Sequence, residues 1–184
     1  SRKVTSATVN RTWNIHTTYT RSEYQERFKN ALQNDNVSAV ERLLQNQRVD
    51  LSAKNNYAIG WASSNGHSAV VERLLQDPRV DPAANNNNAI LDASWNDHFA
   101  VVKRLLQDPR VDPTVDGNGA IQYASEDGHF AVVEQLLQDP RVDPSAKDNL
   151  SIKRASLCGH LAVVERLLQD PRVDPSADDN YAIR

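Results

Sequence analysis

Gly128–Pro144 reads GHFAVVEQLLQDPRVDP. The string returns as GHSAVVERLLQDPRVDP at Gly66–Pro82, DHFAVVKRLLQDPRVDP at Asp97–Pro113 and GHLAVVERLLQDPRVDP at Gly159–Pro175. A worn copy, DNVSAVERLLQNQRVDL, occupies Asp35–Leu51. His67, His98, His129 and His160 fix the step at 31 residues. A constant period of about 20 to 50 residues marks a solenoid, in which each unit buries its apolar face only against its neighbours.

Within a unit the apolar spacing predicts two short helices and a loop. In Tyr57–Asn87, Ala58, Ile59 and Ala62 share one face of a first helix. Asn65-Gly66 ends it, because glycine enters the left-handed region without steric cost. Ala69, Val70, Val71, Leu74 and Leu75 line a second helix, and Pro78 and Pro82 stop it. Arg79–Asn87 is then a loop to the next unit. Neither helix is long enough to stand alone in water. Where glycine is missing, Asp35 and Asp97 take its place, and aspartate is among the few residues that tolerate the left-handed region.

The organisation predicted is all-α, an α-solenoid of stacked helix–turn–helix units with short loops. Residues 1–20 form a polar arm, with Trp13, Ile15 and Tyr19 spaced to lay side chains on the first unit. An atypical first, capping unit spans 21–56, its helix opened by a Ser22–Gln25 capping box. Regular units span 57–87, 88–118, 119–149 and 150–180, and residues 181–184 begin another. The chain has no methionine and stops inside a unit, so the array is expected to continue beyond it.

Composition narrows the function classes. The net charge is -3, yet residues 1–20 carry Arg2, Lys3 and Arg11 and no acid, so the repeat body is acidic. That disfavours a nucleic-acid groove, which needs a basic stripe. No apolar run spans a membrane. The single cysteine, Cys158, excludes an internal disulfide framework and fits an intracellular location, cytoplasmic or nuclear.

The pattern A-x-x-x-G-H-x-x-V-V-x-x-L-L, carried by Ala62, Gly66, His67, Val70, Val71, Leu74 and Leu75 and repeated three times after them, resembles the ankyrin repeat family. The resemblance covers roughly residues 22–184. This is a divergent variant, similar to repeats of amoebal and other protist proteins and of giant DNA viruses of amoebae. Its 31-residue period is shorter than the family's usual 33 or so. The family's T-P-L-H turn is replaced by N-Y-A-I at Asn56–Ile59 and N-L-S-I at Asn149–Ile152, and the finger loop is shorter. The resemblance implies that the histidine column is structural, bridging backbone groups between units. It also implies that first helices and loop tips line a concave face that binds a protein partner.

No chemistry is visible. Packed helices lie about 8–10 Å apart, too far for successive histidines to share one zinc ion. The Arg79, Arg110, Arg141, Arg172 column and the Asp81, Asp112, Asp143, Asp174 column read as turn chemistry, with Arg–Asp pairs laddering along the stack. Cys158 lacks an oriented base, and no phosphate loop exists. The chain is therefore expected to be no enzyme, with no cofactor, no metal, no nucleic acid and no membrane.

Positions that differ between units are free to serve a partner. On the first helices these are Trp61, Asp92, Tyr123 and Arg154 in one column and Ser64, Trp95, Glu126 and Leu157 in another. A third column holds Gly60, Leu91, Gln122 and Lys153. Large aromatics anchor interfaces, and ordered charges select a complementary partner. The expected partner-binding residues are Trp61, Ser64, Leu91, Asp92, Trp95, Gln122, Tyr123, Glu126, Lys153, Arg154 and Leu157. Loop tips such as Asp116–Asn118 and Lys147–Asn149 are a second choice. The reading is a non-catalytic protein–protein interaction module that acts as a rigid scaffold. The alternatives are a self-assembling spacer, which would stack on further repeats, and a substrate-recruiting arm of a larger enzyme such as a ubiquitin ligase.

Overall fold

A computed structural model describes residues 19–174 and 176, without the side chains of 53–55. Trp13, Ile15 and residues 181–184 lie outside the described residues. Those described fold into α1 (Arg21–Gln33), α2 (Val37–Leu44), α3 (Ala53–Ser64), α4 (Ser68–Leu75), α5 (Ala84–Trp95), α6 (Phe99–Leu106), α7 (Val115–Glu126), α8 (Phe130–Leu137), α9 (Ala146–Leu157) and α10 (Leu161–Leu168). Odd-numbered helices pack in one layer, even-numbered helices in another, and the two helices of each unit pack together. Among the described residues there is no strand.

The core follows the apolar columns. Ile59 and Ala62 on α3, Val70, Val71 and Leu74 on α4, and their counterparts in later units are buried. In the first unit Phe28, Ala31 and Leu32 are buried and join this core. The capping box on α1 is Thr20 with Glu23, not Ser22 with Gln25. Gln25 instead joins two parts of the first unit, where its carboxamide exchanges hydrogen bonds of 3.0 and 2.9 Å with the backbone of Asp50. Tyr19 meets Tyr24 edge-on with 5.6 Å between centroids, so the described end of the arm rests on the first unit.

Each helix pair is closed by a left-handed residue. Gly66 has φ +73°, and a Cβ there would stand 2.7 Å from the His98 ring. The glycine is thus needed both for its φ and for the histidine packed over it. Asp35 and Asp97 take the same conformation at φ 49° and 60°. Their carboxylates stand 3.8 and 3.9 Å from Nδ1 of His67 and His129.

Where the sequence predicts plain loops at the unit tips, the structure has a specific form. Asn85–Asn87, Asp116–Asn118 and Lys147–Asn149 are each three successive left-handed residues. Right-handed helix resumes at Asn88, Gly119 and Leu150. A left-handed residue costs about 1–2 kcal/mol unless it is Gly, Asn or Asp, which explains eight of the nine tip residues, Lys147 at φ 53° being the exception. The third residue turns inward. Asn87, Asn118 and Asn149 are buried, and their Oδ1 atoms accept from the N–H of Asp112, Asp143 and Asp174 in the next unit at 2.8, 2.8 and 2.9 Å. Gln25 serves the same junction in the first unit from a right-handed helix.

The arginine ladder also departs from expectation. Arg110 forms its close ion pair with Asp108, two residues before it, at 2.6 Å, and Asp81 of the expected column, in the preceding unit, adds only a weaker electrostatic attraction. It then donates to the carbonyls of Val80 and Leu75 in the preceding unit at 2.8 and 2.9 Å. Arg141 repeats the arrangement on Val111 and Leu106, and Arg172 on Val142. A carboxylate beside a planar guanidinium aims its donors at carbonyls that the second helix leaves open. Asp112 and its counterparts bond the backbone two residues on, the turn chemistry expected of them.

The guanidinium hydrogen bonds hold the carboxyls of Asp77, Asp108, Asp139 and Asp170 below the ordinary aspartate value, against a smaller opposing effect of burial. Their contribution to stability is complete above the unfolded value and is lost as pH falls through the depressed folded values. Urea unfolding is therefore expected to show a steep loss of stability below about pH 4. Asp108→Asn should flatten that dependence by one proton's share. A profile unchanged by the substitution would disprove the coupling.

Candidate partner-binding surface

The first helices present a mixed strip of aromatic and charged side chains. Trp95 ends α5 and is 58% exposed. Its ring stacks on Tyr123 of α7 with 5.7 Å between centroids and 28° between planes. The Tyr123 hydroxyl donates to Asp116 at 2.9 Å, and Lys147 approaches the same carboxylate at 3.4 Å. Arg154 of α9 stands 5.7 Å from the Tyr123 centroid and pairs with Glu126. The Tyr123 hydroxyl, followed by Lys147, holds the Asp116 carboxyl below its ordinary value. Tryptophan, tyrosine and arginine are thus braced on one another before any partner arrives. Such bracing lowers the ordering entropy lost on binding.

The other expected positions are divided between surface and support. Trp61 is half-buried, its ring edge-on to His67 at 5.1 Å. Ser64 and Leu91 are half-buried, and Leu91 packs against the core. Asp92 is half-buried and accepts from Asn88 Nδ2 at 2.7 Å. Leu157 is 67% exposed. Gln122 and Lys153, in contrast, are only 2% and 8% exposed. The Gln122 carboxamide turns back on the Gly117 carbonyl, so this position backs the strip. A polar side chain at a varying position suggests surface, yet at this fourth helical position both Gln122 and Lys153 are buried.

Sequence reasoning passes over Phe99, Phe130 and Leu161, which begin α6, α8 and α10 and are exposed. A signal for them exists, since the same column holds Ser68 in the earlier unit. Attention to first helices alone misses it.

Of the column histidines, His67 abuts the strip at Trp61, and the others bond the backbone between units. Nε2 of His98, His129 and His160 lies 3.0, 2.7 and 2.9 Å from the carbonyls of Ser64, Trp95 and Glu126 in the preceding unit. They tie units together, in keeping with the resemblance. Among the described residues no three His, Cys, Asp or Glu side chains gather as a metal site, and no helix is long and apolar enough to cross a membrane.

The family description "ankyrin repeats (3 copies)" matches residues 28–116 and again 91–179. No curated protein is similar to this chain in sequence. A solved structure described as the crystal structure of EF0377, an ankyrin repeat protein, superposes with a TM-score of 0.70. It covers 86% of this chain and 87% of its own, at 19% identity.

Proposed function

The chain belongs to the ankyrin repeat family, and on that premise we propose that it is a non-catalytic module that binds a protein partner on its first-helix strip. Ankyrin repeats are generally protein–protein interaction modules. The observation that carries the proposal is Trp95, a large aromatic left more than half exposed while stacked on Tyr123. Exposed and pre-braced aromatics beside arginine have the character of interface hot spots. The contact surface is Trp61, Asp92, Trp95, Tyr123, Glu126, Arg154 and Leu157, with Asp116 and Lys147 at its edge. Ser64, Leu91, Gln122 and Lys153 support it from beneath.

Trp95→Ala is expected to weaken capture of the partner by at least about tenfold while moving the unfolding temperature little. Affinity capture with mass spectrometry, comparing wild type with Trp95→Ala and with a Trp95→Ala, Asp92→Ala, Glu126→Ala triple variant, makes the test. A partner held by wild type and lost by the variants supports this face. A partner held equally by all three moves the site elsewhere on the stack. If Trp95→Ala unfolds like a core deletion, the residue belongs to the fold.

A further inference from the structure

Neighbouring first helices meet at grooves, and the α3–α5 groove differs from the two that follow it in the stack. At the junction of α5 and α7, Leu91 reaches across to Gly119, where a Cβ would stand 3.1 Å from Leu91 Cδ2. Trp95 stacked on Tyr123 closes the same groove further along. At the junction of α7 and α9 the place of Leu91 is taken by Gln122, which is buried. At the junction of α3 and α5 that place falls to Gly60, and a Cβ there would meet nothing within 4 Å. The groove stays open, walled by Tyr57 and Trp61 on one side and Asn88 and Asp92 on the other.

Both Gly60 and Asp92 work against stability. A glycine inside a right-handed helix frees the unfolded backbone and fills no space. No left-handed φ requires it at this position. Asp92 is half-buried with Asn88 as its hydrogen-bond donor and no cationic partner among the described residues. Burial pushes its carboxyl above the ordinary value, against the smaller effect of the Asn88 bond. Asn88 offers one N–H to the carboxylate, leaving it under-compensated. A site that keeps an open floor and an unneutralised carboxylate beside an indole is shaped for a cation.

We propose that the α3–α5 groove receives an arginine side chain of the partner, its guanidinium stacked on Trp61 and paired with Asp92 over the space left by Gly60. The proposal rests on the interaction-module reading and specifies the partner's chemistry. Tryptophan is the strongest aromatic acceptor for a cation within about 6 Å. The planar guanidinium is weakly hydrated and offers its edge to a carboxylate while its face lies on a ring. Lysine, a compact and strongly hydrated charge, suits such a slot less well. The ring contact of Trp61 with His67 holds the indole in place.

The test is an amide and indole NMR titration with N-acetyl-arginine methylamide, beside its lysine and glutamate counterparts. The arginine probe is expected to give saturating shifts at the Trp61 indole and at the Asn88 and Asp92 amides, with the Trp95 indole unmoved. Gly60→Leu should abolish saturation while unfolding at the same or a higher temperature. Asp92→Asn should weaken binding by about tenfold, the loss of one charge-assisted contact, and it should not destabilise the fold at neutral pH. Equal titration of wild type and both variants, preferential binding of lysine, or no saturation at all would overturn the proposal. A partner lost on Trp95→Ala but retained by Gly60→Leu would leave the strip standing and remove the groove alone.

Discussion

Leu105→Ala is expected to destabilise the chain by about 2–5 kcal/mol, because it removes methyl groups from a site with little room to relax. Leu105 is 0% exposed and sits on α6, in the middle of the stack. Val101, Val102 and Val111 of the same unit are buried around the same core. In a globular domain the loss would lower one cooperative transition. Here the units interact only with their neighbours, so the loss also weakens the coupling across unit junctions. Denaturant unfolding should therefore shift to lower midpoint and broaden, with the amides of α6 losing hydrogen-exchange protection before those of α10. Leu74→Ala and Leu136→Ala occupy the same column at 0% exposure and should behave alike. A drop of under about 1 kcal/mol for Leu105→Ala would mean that the unit collapses around the gap and that its packing is looser than the structure shows.

The repeat period, the two helices per unit and the closing left-handed residue are all legible in the sequence because each leaves a local mark. Apolar spacing marks the helices, and Gly66, Gly128, Asp35 and Asp97 mark the closures. What escapes is any choice between two partners of the same kind. Arg110 has Asp108 and Asp112 at equal sequence distance, and sequence symmetry cannot say which one its fork will meet. The carbonyls of Leu75 and Val80, which lie in the preceding unit, decide the geometry. Gln25 resembles half of a capping box because it stands three residues after Ser22, while the junction it serves lies 25 residues away. Gln122 and Lys153 vary between units as surface residues do, but their depth is set by how closely α7 and α9 approach their neighbours. Trp95 and Leu157 are exposed and Ser64 and Glu126 of the same column half-buried, so the helical period gives the side of the helix and the neighbours set the depth. The loop tips are the largest omission. A run such as Asn85–Asn87 says only that a turn is present, and three left-handed residues in succession are too rare to anticipate from composition.

That omission makes Asn118 the most informative position for a second large effect. Asn118→Ala is expected to cost about 1.5–3.5 kcal/mol, from two separable causes. Alanine in a left-handed conformation costs about 1–2 kcal/mol, and Asn118 has φ 65°. Removing Oδ1 also strands the Asp143 N–H, which it now accepts at 2.8 Å. The bond is part-buried, and a hydrogen bond of this kind contributes about 0.5–1.5 kcal/mol. Asn118→Gly separates the two: glycine accepts the conformation but supplies no acceptor, so the loss should fall to about 0.5–1.5 kcal/mol. Asn118→Asp keeps an acceptor and tolerates the conformation, and it should lie closest to wild type. The three variants thus rank aspartate, glycine, alanine in falling stability, read from urea midpoints at constant slope. Were alanine and glycine to prove equal, the left-handed turn would carry no strain and the hydrogen bond would be the whole of the asparagine's role. Were all three to match wild type, the asparagine column would have no part in holding one unit to the next. The fixed third residue of each tip would then need another cause, and its recurrence at Asn56, Asn87, Asn118 and Asn149 would point back to binding at the tips themselves.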